Sequence, residues 1–353
     1  MIDLDNVQEM RRQDPEGMVD RIAELPDQLR EAWQNASGFS LPPDYADIDN
    51  VVIMGLGGSA IGGDLARTLV AGEARVPIEV VREYDPPGYV GPRTLAIATS
   101  YSGNTEETLA AYEAARRRGA KLVVLTTGGQ LLQRAHAHGV PAYRFTYRSQ
   151  PRAALGHSLV PLLVFLQRAN VIADKGSQVE EAARVLTGVC TRISPRVPVA
   201  ENAAKQLAND FHGRLLAIYG GGLTAEVARR WKGQLNENAK HWATFDVLPE
   251  LDHNSVVGYE YPAGLAASLR VVFLETDYAH ERVKARFKAT QELLRRQGIQ
   301  FHVVRAVGGG PLAQMLGAVY LGDFTSYYLA MLNGVDPTPV KAIDWLKAEL
   351  AKA

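Results

Sequence analysis

Nine consecutive residues, Ser100-Tyr101-Ser102-Gly103-Asn104-Thr105-Glu106-Glu107-Thr108, concentrate the side chains best suited to holding an anion. Leu95 to Ala98 before them has the length and apolarity of a short strand. Leu109 to Arg116 after them reads as a helix. The stretch between is therefore a strand-to-helix turn, where free backbone N–H groups and the positive end of a helix dipole converge. Ser100, Ser102 and Thr105 add hydroxyl donors, and Gly103 lets the backbone approach closely. A dianionic phosphate monoester fits such a setting. A simpler reading is a helix cap, because Asn104 and Glu107 have the spacing of a capping box. Three hydroxyls with a Gly-Asn pair exceed what a cap needs, which favours phosphate.

A second glycine-rich turn stands nearby in the chain. Val51-Val52-Ile53-Met54 reads as a buried strand that runs into Gly55-Leu56-Gly57-Gly58-Ser59-Ala60-Ile61-Gly62-Gly63-Asp64. Gly55, Gly57 and Ala60 satisfy a loose dinucleotide fingerprint, with Glu79 or Glu83 where a ribose-binding acid would sit. That signal is weak. A dinucleotide fold has no need of the second, hydroxyl-rich turn, whereas two such turns at neighbouring strand ends can close on one phosphosugar.

Three further stretches carry ionisable candidates. Arg152 follows Pro151 at the start of a predicted helix over Ser158–Asn170, where a cation opposes the dipole unless it faces an anion; a solvated Arg is the bland alternative. Glu237 lies in the polar run Gln234-Leu235-Asn236-Glu237-Asn238-Ala239-Lys240, whose composition alone suggests a solvated helix face. His253 lies in Pro249-Glu250-Leu251-Asp252-His253-Asn254, where Asp252 or a backbone oxygen can fix its tautomer. A carboxylate and a His suit proton shuttling between adjacent carbons. The eight His residues show no paired metal-ligand spacing; His136 and His138, two apart on a predicted helix, face different ways and read as surface.

Composition bounds the rest. The chain has 353 residues, 46% hydrophobic and 22% charged, which predicts more than one core. A net charge of −1 gives no footprint for nucleic acid. Cys190 is the single cysteine, which suits a reducing cytoplasm and offers no disulfide framework. The acidic start Met1-Ile2-Asp3-Leu4-Asp5 does not read as a signal peptide, and the strands are too short and too broken by Gly to span a membrane. Residues 1–45 read as a helical arm broken by prolines. Residues 46–175 read as a first α/β domain carrying the phosphate turn, 176–200 as a helical linker, and 201–353 as a second α/β domain ending in a helix. Leu215 to Tyr219 followed by Gly220-Gly221-Gly222 repeats the pattern of Val51 to Gly58, with later strands at 271–274 and 301–304. The predicted class is α/β: two doubly wound parallel sheets, the second without a phosphate turn.

The Ser-x-Ser-Gly-x-Thr-x-Glu turn resembles the sugar isomerase (SIS) domain. Asn236 to Lys240, Pro249 to Asn254, Gly57 to Asp64, Pro151-Arg152 and Asp336-Pro337-Thr338-Pro339-Val340 together resemble the bifunctional phosphoglucose/phosphomannose isomerases, from about residue 20 onward. That resemblance implies a dimer of two-SIS-domain subunits that needs no cofactor and interconverts glucose 6-phosphate and mannose 6-phosphate with fructose 6-phosphate. It implies that Gly58, Ser59, Ser100, Ser102 and Thr105 hold the phosphate and that Arg152 stabilises the enediolate. Glu237 would move the proton between C1 and C2. His253, from the partner subunit, would open the ring. A C-terminal lysine would assist at the ring oxygen, with Lys347 preferred over Lys341. Two alternatives remain at this point. One is a non-catalytic SIS-type sugar-phosphate sensor, although residues 1–45 lack a basic helix-turn-helix. The other is a nicotinamide-dependent dehydrogenase.

Overall fold

A computed structural model describes residues 2–350 and residue 352. Helices α1 (Val7–Gln13), α2 (Met18–Ala23) and α3 (Leu25–Ala36) open the chain. The first sheet then follows. Its elements are β1 (Asn50–Met54), α4 (Gly57–Val70), β2 (Ile78–Val81), β3 (Thr94–Ser100), α5 (Glu106–Arg117), β4 (Lys121–Thr126), α6 (Gly129–Ala137) and β5 (Ala142–Arg144). Helices α7 (Leu155–Arg168) and α8 (Gly176–Ile193) come next. The second sheet runs α9 (Ala203–Phe211), β6 (Leu215–Gly221), α10 (Ala225–Glu237), β7 (Ala243–Leu248), α11 (Leu265–Ser268), β8 (Leu269–Glu275), α12 (Glu281–Arg296) and β9 (Gln300–Arg305). Helices α13 (Pro311–Leu332) and α14 (Lys341–Leu350) close the chain.

By contact the chain divides into two compact units. One comprises Glu24–Thr187 and Val307–Leu316 and holds the first sheet; the other comprises the residues up to Ala23, Gly188–Ala306 and those from Gly317 onward, and holds the second. In the first unit the strand order is β2-β1-β3-β4-β5, and every pair is parallel. All seven residues of β3 are buried, as expected of a parallel strand covered on both faces. Val52, Met54, Ala96, Ala98, Tyr112 and Val124 form part of its core. The chain leaves β1 for β2 on one side and returns to β3 on the other. The crevice at the carboxyl ends of β1 and β3 is therefore the topological switch point.

In the second unit the order is β7-β6-β8-β9, again all parallel. Tyr219, Leu248, Leu251, Phe273 and Phe287 lie in its core. Two parallel α/β sheets match the expected fold class. The strand β7 went unrecognised in the sequence. It is an edge strand whose residues Thr244 to Val247 are exposed or half-buried, so it lacks the apolar run that marks a central strand. Among the described residues no helix is long and apolar enough to cross a membrane.

Candidate active site

The hydroxyl-rich turn leaves β3 at the switch point and enters α5 at Thr105, where no side chain caps the helix. The capping-box alternative is not what forms. Asn104 Oδ1 instead accepts from the backbone N–H of Gln130, at 3.0 Å. The turn is tight because Gly103 has φ +67° and lies against the β4–α6 connection; a Cβ there would stand 1.8 Å from the Gly128 carbonyl oxygen. Ser100 Oγ lies 2.9 Å from Thr105 Oγ1 and accepts from Gly103 N at 3.1 Å. The backbone N–H of Asn104 donates to Ser102 Oγ, and Ser102 itself is exposed at the rim.

The β1–α4 turn meets this one directly. Ser59 Oγ accepts from the backbone N–H of Tyr101 at 3.0 Å. Helix α4 begins at Gly57 with no side-chain cap. Two uncapped helix N-termini thus open at adjacent strand ends, an arrangement suited to an anion. Gly58 is the contact point with a third segment. A Cβ there would stand 2.7 Å from Pro151 C and 2.8 Å from Arg152 N, both backbone. Only glycine lets the Pro151–Ala153 3-10 turn come this close, and that turn carries Arg152, which is 4% exposed. Gly58, Ser59, Ser100, Ser102, Thr105 and Arg152 are therefore gathered in one place.

Two bracing residues were not singled out in the sequence. The hydroxyl of Tyr101 donates to the Tyr147 carbonyl and accepts from Ser149 N, tying the anion turn to the segment that leads to Arg152. Gln28 of α3 donates to the Ala153 carbonyl at 2.9 Å and accepts from Gly156 N at 3.1 Å, holding the far side of the Arg152 turn. Tyr101 sits inside the motif, but its reach is a tertiary fact with no local sequence signal.

In the other unit, Glu237 is the last residue of α10. The expected solvated helix face is not found around it. Asn238 is fully buried and donates to Ser326 Oγ of α13 at 2.9 Å, and Asn236 donates to the His241 carbonyl. Helix α10 is fixed to α13 by Asp323, which accepts from Arg230 at 2.6 Å and Gln234 at 3.0 Å. Burial pushes the Asp323 carboxyl up, with Arg230 opposing the shift. Glu237 opens into a cleft of about 540 Å³, within the range of small-molecule sites. Lys240 and Lys341 line it with Glu237, and Val335, Pro339 and Ile343 supply apolar wall. Lys347 lies further along α14, on an exposed stretch.

His253 lies elsewhere in the same unit. It ends a 3-10 turn at Glu250–His253 just after β7 and is exposed. Asp252, one of the two partners the sequence allows His253, anchors this turn: its two oxygens accept from Arg286 and Thr290 of α12 at 3.0 and 2.8 Å. Leu251 is fully buried, and the hydroxyls of Tyr259 and Tyr219 lie 2.8 Å apart, fastening the following loop to β6.

Glu237 precedes β7 and His253 follows it, so the two flank opposite ends of this strand. Helix α10 returns from the carboxyl end of β6 to its start, where His241 Nε2 lies 2.6 Å from the Arg214 carbonyl oxygen. Strand β7 then runs parallel to β6, from Ala243 beside Leu216 to Leu248 beside Gly221, and His253 follows. Its six residues span roughly 20 Å along the strand direction, and the two candidates lie on either side of that length.

Residues 44–143 match the SIS domain family, and residues 200–350 match the family described as the bacterial phospho-glucose isomerase C-terminal SIS domain. A bifunctional phosphoglucose/phosphomannose isomerase of Caldicellulosiruptor bescii is 42% identical over 336 residues, covering 95% of this chain and 99% of that protein. Its namesake in Aquifex aeolicus is 34% identical, covering 92% and 99%. Among solved structures, a hypothetical protein from Thermus thermophilus superposes with a TM-score of 0.73 at 18% identity, covering 98% of this chain and 93% of that one, a likeness of fold.

Proposed function

The chain belongs to the bifunctional phosphoglucose/phosphomannose isomerases, and from that premise we propose how its own residues divide the reaction. The protein is an aldose–ketose isomerase. It interconverts glucose 6-phosphate and mannose 6-phosphate with fructose 6-phosphate by proton transfer through a cis-enediol. The observation that carries the assignment of residues is the pair of uncapped turns at the β1/β3 switch point with Arg152 packed against one of them. Gly58, Ser59, Ser100, Ser102 and Thr105 hold the substrate phosphate. Arg152 stabilises negative charge as it develops on the enediolate oxygen. Glu237 is the base that moves the proton between C1 and C2, and His253 opens the ring. The C-terminal lysine acts at the ring oxygen from α14.

The subunit works as a homodimer with shared sites. The placement of Glu237 before β7 and of His253 after it supports this, because the strand's roughly 20 Å length is longer than a hexose.

One assay tests the reaction and the lysine together. The protein is given fructose 6-phosphate without added metal, and both aldose phosphates are followed. Both should appear; formation of neither overturns the isomerase reading. In that assay Lys347→Met is expected to be slower than Lys341→Met, and the reverse order transfers the ring-oxygen role to the lysine that lines the Glu237 cleft. The phosphate site has its own test. A hydrogen bond to a charged acceptor contributes about 1.5–3 kcal/mol, so Ser102→Ala is expected to raise KM for fructose 6-phosphate by about tenfold or more. An unchanged KM with the fold intact places the phosphate elsewhere.

A further inference from the structure

Beyond the end of α10 the chain folds back on the helix, and the backbone N–H of His241 donates to the Leu235 carbonyl at 3.1 Å. A residue in the left-handed conformation just past a helix end is usually glycine. Here it is Lys240, at φ +51°. A bulky side chain in that conformation is strained, so the side chain has a use that outweighs the strain. Its contacts say what the use is. Lys240 Nζ lies 2.9 Å from the Glu237 carbonyl oxygen and 3.3 Å from that of Asn238. It lies 2.7 Å from the Asp336 carbonyl oxygen and 3.0 Å from that of Pro337. An ammonium has three N–H donors, and four main-chain oxygens compete for them. The group is therefore committed to the protein backbone and is a poor candidate for touching substrate, although Lys240 lines the same cleft as Glu237.

We propose that Lys240 is a positioning residue for Glu237. It caps the carboxyl end of α10 at the base's own carbonyl, where a cation also offsets the negative end of the helix dipole. The same ammonium binds the Asp336–Pro337 turn, which leads to Val340 and Lys341, also lining the cleft. One charge thus ties the backbone that carries Glu237 to a second segment lining the same cleft. Asn333 adds a second tie by donating to the Ala239 carbonyl at 2.9 Å. This inference rests on Glu237 being the base.

The experiment compares Lys240→Gly, Lys240→Met and Lys240→Arg, each also in a Glu237→Gln background, with fructose 6-phosphate as substrate. Glycine removes the ammonium and relieves the left-handed strain, so this variant should fold with a Tm near that of the parent. Its kcat should fall by about tenfold while KM stays within about threefold, because the loss is of a group aligned for the transition state. Lys240→Met should lose as much, and Lys240→Arg should keep more activity than either. In the Glu237→Gln background the further loss should be within about twofold, since a residue acting through Glu237 has nothing left to position. An unchanged kcat in Lys240→Gly, or an equal loss in both backgrounds, overturns the proposal. Should Lys240→Gly not fold, Lys240→Met decides by the same criteria. Near-normal turnover of Glu237→Gln itself would remove the base assignment and this inference together; a slow Glu237→Gln beside a normal Lys240→Gly removes only the inference.

Discussion

Glu237→Gln is expected to bind fructose 6-phosphate with a KM near that of the parent and to turn it over slower by on the order of 10² or more. The substitution keeps the size and most of the polarity of the side chain at the end of α10 and removes its basicity. Helix α10 itself should be unaffected, because its anchors are Asp323 with Arg230 and Gln234, and Asn238 with Ser326. The Lys240 contacts go to backbone carbonyls and survive as well. A loss of turnover without a loss of Tm therefore reports on the proton transfer. Isotope measurements give the same test a second readout. A carboxylate that holds a proton taken from carbon can exchange it with solvent before giving it back, so some deuterium from D₂O should enter C1 or C2 during turnover. A hydride shift would instead carry the original label across. Near-normal kcat in Glu237→Gln would take Glu237 out of the mechanism.

The hydroxyl-rich turn after β3 was legible because its features are local. Nine adjacent residues supply the hydroxyls, the tight glycine and the helix start, and the apolar strand before them fixes where the turn must sit. The two-sheet architecture was legible for a similar reason, since central parallel strands such as β3 and β8 are near-continuous apolar runs. What failed to show depends on partners far along the chain. Asn238 reads as a surface residue until Ser326, on another helix, accepts its hydrogen bond. Asp252 reads as a partner for His253 until Arg286 and Thr290 take its oxygens. The edge strand β7 carries Asp246 and Thr244, and only its pairing with β6 makes it a strand. That omission mattered. Glu237 and His253 stand close together in sequence, and without β7 nothing separates them in space.

The separation leads to an expected result in which two inactive proteins restore one another. A His253→Ala chain and a Glu237→Gln chain are purified, each nearly inactive, and mixed under conditions that let subunits exchange. A C2 dimer built from one of each presents two sites. If His253 serves the neighbouring subunit, one site draws Glu237 from the first chain and His253 from the second and is intact, while the other carries both lesions. Equal mixing makes about half of the dimers mixed, so about a quarter of all sites should recover, by the two-fold symmetry of the assembly. If His253 served its own chain, every site would carry one lesion and mixing would restore nothing. The geometry favours the first outcome. Within one chain Glu237 precedes β7 and His253 follows it, and the strand between them is roughly 20 Å long, more than a single hexose phosphate spans. The turn that carries His253 is also held firmly by its own subunit, through Leu251 in the core and Asp252 on α12, while the imidazole is left exposed. Such a side chain is presented outward on a rigid base, as a group must be if it is to complete a site on another protein. A silent mixture, with exchange verified by native mass measurement, would refute the shared site and leave the isomerase activity standing.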